Sequence, residues 1–547
     1  MHPLFVAINA KYIHTNNAVR LLSANSAFET AFIDFTIKDN PKDIVDTILD
    51  KNPSVIGFSV YIWNIKIIET LVNSLKEHSD IPIVLGGPEV SYDTFHFLNT
   101  FPVDIIVKGE GEHVIDDVLS YLLKGTSLEH TSNVAYRQNG TIVDHPIVEI
   151  ADLSRLLSPH HFEEDYPHIQ KRIQYVESSR GCPFKCSYCL SSLEKKVRFF
   201  PLKEVKSTLK HLLDHGAKTI KFLDRTFNAN EDAKPIIDYL IKHHESDTVF
   251  QFEITGEIMD ESLIEYIHRH APRHLFRFEI GIQSTNDLTN RLVGRVQDND
   301  KLFRLIKKIK DADIIDMHLD LIAGLPQETL ERFKKTFNDV YVLGSRELQL
   351  GFLKFLRGTK IRREATLYDY HYTADAPYEI QSNASLSKHD LFVISSVEAG
   401  LDLFHNKGYF ADALFPILKT YFNDYFTLFQ TMYTTYLESG YKRKGYQLDE
   451  VYSFVHTFLK QQNVPNDVLD TLKIAYLKRS KVKPKCYFET IKDKRIKRPL
   501  FETLSVSSHF DISDFYKHAL VAPIEKGYVV ALYKHQQCHL HIIKKTD

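Results

Sequence analysis

The feature that most constrains this chain is the stretch Ser179-Arg180-Gly181-Cys182-Pro183-Phe184-Lys185-Cys186-Ser187-Tyr188-Cys189. Three of the five cysteines in 547 residues fall here, spaced C-x3-C-x2-C. Thiolates are soft ligands that suit zinc or iron–sulfur clusters. A structural zinc site closes with four ligands, and no fourth Cys or His stands nearby. Three closely spaced thiolates point instead to a 4Fe–4S cluster that keeps one iron open. The other reading is three cysteines buried as small apolar residues. The flanking Gly181, Pro183 and Lys185 favour an exposed loop over a packed segment.

A chain this long exceeds one core, and its size implies three or four domains. Its 43% hydrophobic and 25% charged residues are those of an ordinary globular protein. The 68 basic against 71 acidic residues leave a net charge of −3, so no overall field for nucleic acid or anionic membrane follows. No run of 18 apolar residues is present, and the start has neither a basic n-region nor a cleavage site. Clustered rather than paired cysteines point to a reducing cytoplasm.

Over residues 1–125, apolar strand-like runs alternate with amphipathic helices: Leu4–Ala10, Phe32–Thr36, Val55–Ile62, Ile81–Leu85 and Val103–Val107. This predicts an α/β, doubly wound, Rossmann-like parallel sheet of about five strands. Such sheets bind ligands at the carboxyl ends of their strands. Here those ends carry Ser59, the turn Gly86-Gly87-Pro88 and the turn Gly109-Glu110-Gly111-Glu112. Residues 126–170 read as a linker with a hairpin at Asn139-Gly140. Over residues 171–365, six strand-like runs separated by helices predict a (βα)6 partial TIM barrel with its site at the carboxyl ends. Residues 366–547 read as mainly helical, of unknown role, ending in a hairpin over Val529–Lys534 and Cys538–Ile543. The basic runs Lys478–Lys485 and Lys492–Arg498 read as a solvated face, and Cys486 and Cys538 as structural.

The spacing, with Tyr188 before the last cysteine, resembles the CxxxCxΦC signature of the radical S-adenosylmethionine (radical SAM) enzymes. That resemblance implies a 4Fe–4S cluster on Cys182, Cys186 and Cys189, with S-adenosyl-L-methionine on its open iron. The strand Phe278-Glu279-Ile280-Gly281-Ile282-Gln283-Ser284, followed by Arg295, resembles the group that includes coproporphyrinogen dehydrogenases and methylthiotransferases. Leu321-Ile322-Ala323-Gly324-Leu325-Pro326-Gln327-Glu328 resembles the GxIxGLPxE element of that family, with Asp320 in place of its first glycine. The implied SAM contacts are Tyr188, Asp224, Glu253, Glu279, Gln283, Ser284, Arg295 and Gly324. Asp224 stands in for a missing Gly-Gly-Glu turn. Glu253 either meets a ligand or pairs with a neighbour such as Arg277, and Arg295 suits the ligand carboxylate.

The first domain resembles the cobalamin-binding domain found ahead of many radical SAM modules. The implied cobalamin contacts are His14, Ser59, Gly86, Gly87, Gly109, Glu110 and Gly111. The pattern D-x-H-x-x-G, whose histidine ligates cobalt, appears here as Tyr12-x-His14-x-x-Asn17. The whole resembles a cobalamin-binding-domain-containing radical SAM protein with an uncharacterised C-terminal domain. It implies reductive cleavage of SAM, a methyltransferase or related radical reaction, and an electron donor such as flavodoxin or ferredoxin. The substrate is unnamed and could be a small molecule, with no membrane or nucleic-acid partner expected. Two alternatives stay open: a radical SAM enzyme whose first domain is a scaffold without cobalamin, and a non-catalytic, cluster-bearing, RNA-associated regulator.

Overall fold

The computed structural model describes residues 2–194, 196–410 and 413–545. It divides into two compact units, Met1–Leu330 with Gly351–Lys388, and Glu331–Leu350 with His389–Asp547.

The first unit opens with strands β1 (Leu4–Asn9), β2 (Ala31–Thr36), β3 (Ile56–Ser59), β4 (Ile83–Gly86) and β5 (Ile105–Val107). They pair in parallel in the order β2-β1-β3-β4-β5. Side chains alternate across a strand, so one run of apolar residues serves two cores. Leu4, Val6 and Ile8 pack with Ile44, Ile48, Ile68 and Leu71 of two helices on one face. Phe5 and Ala7 pack with Val19, Ile115, Val118 and Leu119 on the other. This two-sided burial is why the strands read as unbroken apolar runs.

The Asn139-Gly140 hairpin, expected within a linker, instead enlarges this sheet. Its strands β6 (Val134–Gln138) and β7 (Thr141–Asp144) extend the sheet antiparallel from β5. Val134, Ala135 and Tyr136 are buried there, an apolar triplet that a free connector would leave in water.

Strand β8 (Gln174–Val176) begins the second sheet and leads into a two-stranded ribbon of β9 (Ser179–Arg180) and β10 (Arg198–Phe199). Strands β11 (Thr219–Phe222), β12 (Val249–Ile254), β13 (Phe276–Gln283), β14 (Asp316–Ala323) and β15 (Glu347–Phe352) complete a six-stranded sheet ordered β15-β14-β13-β12-β11-β8. The expected partial barrel is therefore present, with β8, β11, β12, β13 and β14 parallel. Its strands alternate. Phe250, Phe252, Phe276, Phe278 and Ile280 are fully buried, while Glu253, Arg277, Glu279 and Gln283 between them are half-buried. The barrel's inner face is polar, which packing alone would not select.

The second unit is mainly helical, as expected. The aromatic stripe over residues 410–437 forms two helices, Leu414–Tyr421 and Tyr425–Glu438; positions 411–412 lie outside the described residues. Asp424 caps the second by accepting from Thr427 N. Tyr341, Phe415, Tyr425 and Phe429 form one aromatic cluster, so the stripe is core. The terminal hairpin gains a third strand, Ala519–Ile524, paired antiparallel with Gly527–Lys534. Among the described residues no helix is long and apolar enough to cross a membrane.

Candidate functional site

The loop after β8 carries Cys182, Cys186 and Cys189, all free thiols, the middle one buried. It is fastened at several points. Gly181 takes φ +93°, and a Cβ there would lie 2.4 Å from the Lys196 carbonyl oxygen, so only glycine fits. Ser187 N donates to Val293 O at 2.8 Å, and Ile361 N to Ser187 O at 3.0 Å. Burial pushes the Cys186 thiol up, offset in part by the Arg295 guanidinium and a hydrogen bond from Tyr188. Burial also raises the Tyr188 phenol, against the pull of Arg295. Tyr188, Cys186 and Arg295 thus meet. Among the described residues no three Cys, His, Asp or Glu side chains stand close enough for a single metal ion. A four-iron cluster takes each thiolate on its own iron, and the donor set, three free thiols on one loop, fits that group.

Gln283 ends β13 beside a bulge at Gly281 with φ +65°, an unusual conformation for a side-chain-bearing residue. Its Oε1 is buried with no hydrogen-bond partner. Arg295 donates through Nη2 to Gly281 O and through Nε to Gln297 Oε1 at 2.7 Å. Near Arg295, on the turn after β12, both carboxylate oxygens of Glu257 are buried, with no partner beyond the backbone N–H groups of Glu257 and Asp298. Burial raises its pKa, with Arg295 opposing. Sequence reading missed Glu257; its place just past a barrel strand end was the available signal.

Several expected SAM contacts are engaged elsewhere. Asp224 is 1% exposed and accepts from Ser178 N at 2.9 Å, Ser178 Oγ at 2.5 Å and Ser179 Oγ at 2.6 Å. Burial drives it up to about 6 despite those bonds. Through these bonds it ties the end of β8 to the turn after β11. Ser284 is fully buried and donates to Glu328 Oε1 at 2.5 Å, so it holds two strand-end loops together. The Gly324 carbonyl accepts from Tyr370 Oη at 2.9 Å and Asn383 Nδ2 at 3.1 Å. Glu253 lies 3.5 Å from Arg225 and 3.8 Å from Lys221, not against Arg277. Lys221 pairs with Glu279 at 2.8 Å and holds that carboxyl below its usual value against burial. Burial raises Glu253 and Asp320, which share the same polar wall.

In the first sheet the chain order reverses between β1 and β3, the switch point where open α/β sheets bind ligands. The loops there carry His14, Ser59, Tyr61 and Trp63. Most expected cobalamin contacts also make contacts within the domain. Ser59 Oγ accepts from Asn16 Nδ2 at 3.1 Å. Gly87 takes φ +116°, and a Cβ would lie 2.5 Å from Val60 O, so it serves the close approach of two turns. Val60 N donates to Gly86 O at 2.7 Å. Gly109 and Gly111 pack under Ile147 and Leu22. Glu110 accepts from Arg180, Arg198 and Ile150 N. His14, neither solvent-facing nor a helix cap, has its Nδ1 2.7 Å from the Tyr175 hydroxyl of β8, and burial lowers its pKa, with Lys11 and Lys221 adding. What the switch point does offer is apolar surface: Tyr12, Ile13 and Trp63 are exposed, with Trp63 stacked on Tyr61 at 4.3 Å. Such a face fits a corrin ring.

Three family models match the chain. The Radical SAM superfamily covers residues 176–340, the B12 binding domain 3–119, and a protein of unknown function, DUF4080, 366–529. An uncharacterised methyltransferase PH0819 of Pyrococcus horikoshii is 26% identical over 310 residues, 54% of this chain and 65% of its own. The anaerobic magnesium-protoporphyrin IX monomethyl ester cyclase of Rubrivivax gelatinosus is 25% identical over 338 residues, 58% and 59% respectively. The chain therefore spans less than two thirds of the length of these curated relatives. Among solved structures, the cobalamin-dependent S-adenosylmethionine radical enzyme OxsB aligns with TM-score 0.61 at 15% identity, over 87% of this chain and 79% of that one. The radical S-adenosylmethionine methyltransferase TsrM of Kitasatospora setae aligns at 0.56 and 16%, over 66% and 76%. At such identities these two speak for the fold alone.

The matched ranges give the chain a radical SAM domain preceded by an amino-terminal B12-binding domain. Beyond these two, the chain carries a carboxyl-terminal domain of the DUF4080 type.

Proposed function

We propose that this chain is a cobalamin-dependent radical SAM enzyme that methylates its substrate or carries out a related radical reaction. The observation that carries the reading is the meeting of Cys186, Tyr188 and Arg295 at the mouth of a polar-lined barrel. Cys182, Cys186 and Cys189 would hold a 4Fe–4S cluster. Arg295 offers its buried positive charge and its remaining N–H groups to the carboxylate of SAM, and Gln283 an unsatisfied acceptor for a hydroxyl. Glu257 offers a buried carboxylate for the ammonium. Tyr12, Ile13, Tyr61 and Trp63 would face a corrin. When bound, the cluster supplies a low-potential electron and the corrin a transferable methyl group. The chain's own part is to hold these groups in register and keep water out, while Glu253, Glu279, Asp320 and Lys221 bind a polar substrate in the lumen.

A second reading, a scaffold domain without corrin, draws on Tyr12, on Asn17 and on the bond between His14 and Tyr175. Asn17 stands at the motif's glycine and donates to Tyr175 O at 2.7 Å. Anaerobic reconstitution with iron and sulfide, with and without hydroxocobalamin, separates the two. A corrin absorption band retained through gel filtration supports the first reading, and its loss the second. Formation of 5′-deoxyadenosine from SAM and dithionite, abolished by Cys186→Ala, supports both; its persistence in that variant overturns the cluster assignment.

A further inference from the structure

Arg180 stands two residues before the first cysteine, and nothing so far explains its burial. Its side chain is 10% exposed and faces three carboxylates. Nη1 donates to Glu110 at 3.2 Å, Nη2 to Glu112 at 2.7 Å, and Nε and Nη2 to Glu177 at 3.1 and 2.9 Å. Glu177 directly follows the first barrel strand, while Glu110 and Glu112 belong to the turn after β5 of the first sheet. Directly opposite Arg180 in the ribbon stands Arg198, which reaches the same Glu110 at 2.8 Å, Ile150 O at 2.9 Å and Glu194 at 3.1 Å. Glu149 lies 4.0 Å from it.

We propose that Arg180 is a positioning residue that fixes the cysteine loop against the first domain, and that the Gly109-Glu110-Gly111-Glu112 turn is the other half of this clamp. The inference rests on the functional reading above, since the loop it positions is the one taken to hold the cluster.

Gly181, which lies against the Lys196 backbone two residues before Arg198 of the ribbon, joins Arg180 directly to Cys182. Only a planar fork satisfies three carboxylates at once; a lysine ammonium has the charge but not the geometry. Burying such ions is costly unless each partner is present, so removing one exposes the rest as uncompensated charge. Two arginines here face Glu110, Glu112, Glu149, Glu177 and Glu194, and Arg225 also acts on Glu194. The clamp therefore sets both where the loop lies and what field it feels. It also makes the amino-terminal domain a determinant of a site that lies wholly in the barrel's sequence.

The test uses the full chain, reconstituted anaerobically with iron and sulfide and without cobalamin, as wild type, Arg180→Met, Arg180→Lys and Glu112→Gln. The readouts are the cluster's midpoint potential, from a redox titration followed by electron paramagnetic resonance, and the rate of iron loss to a chelator. Removing a positive charge disfavours the reduced cluster and removing a negative one favours it. Arg180→Met should therefore shift the potential down and Glu112→Gln up. Arg180→Lys should keep the wild-type potential yet lose iron roughly ten times faster, the scale of a lost supporting contact. General loosening of the fold would not move two variants in opposite directions. If Glu112→Gln matches wild type in potential and iron loss, or shifts the same way as Arg180→Met, the inference is overturned. A wild-type chain that takes up no cluster overturns the functional reading, and this inference with it.

Discussion

Replacing Asp224 by asparagine separates two roles for that residue through the pH dependence of stability. The carboxyl is 1% exposed and titrates near about 6 in the folded chain, against an ordinary 3.8. A carboxyl whose folded value lies above its unfolded one stabilises the fold fully below the unfolded value. That contribution is then lost as pH rises through the folded value. The shift of about two pH units corresponds to about 3 kcal/mol, all of it lost between roughly pH 4 and pH 7. Asparagine cannot ionise, so its variant lacks this slope. It still accepts from the Ser178 and Ser179 hydroxyls but presents an NH2 to Ser178 N, a cost independent of pH. The difference in unfolding free energy between wild type and Asp224→Asn, from urea denaturation of the metal-free chain, isolates the term because other carboxylates cancel. We expect wild type to lose about 3 kcal/mol relative to the variant from pH 4 to pH 7. A flat difference, together with a several-fold weaker affinity for SAM in the variant, would refute the tethering role and restore a ligand contact.

Three further outcomes follow from the packing. Gly87→Ala forces a Cβ to 2.5 Å from Val60 O at φ +116°, and should lower stability by about 1–3 kcal/mol in a denaturation midpoint. Ser284→Ala removes the donor to the fully buried Glu328, and should cost about 1–3 kcal/mol while leaving SAM affinity, measured by equilibrium dialysis, within twofold. Arg20 is 1% exposed and bridges Asp34 and Asp165 at 2.6 Å each; Arg20→Met should cost about 3–5 kcal/mol by the same denaturation measurement.

The cysteine loop was legible because ligand chemistry fixes residue type and spacing together. The first sheet was legible because strands buried on both faces carry unbroken apolar runs, and the second because its alternating β-rich runs recur between helices. What escaped was partner choice. Asp224 and Ser284 occupy the strand-end positions a ligand contact would, yet their bonds go to Ser178 and Glu328, 46 and 44 residues away. Glu110 looks like part of a cofactor turn, but its carboxylate belongs to an arginine 70 residues on. The glycines at 87, 109 and 111 satisfy backbone and side-chain approaches between neighbouring turns, which no local pattern distinguishes from room left for a ligand. The Asn-Gly hairpin was visible, but not the sheet edge it would join.

Under the proposed function, Cys182, Cys186 and Cys189 hold a cluster whose open iron takes SAM. Electron paramagnetic resonance of the dithionite-reduced, reconstituted chain, with and without SAM, tests it most directly. A reduced-cluster signal that changes its g values when SAM is added, and that is lost in each single cysteine-to-alanine variant, is the result expected. A signal indifferent to SAM, or one that survives Cys186→Ala, would contradict it.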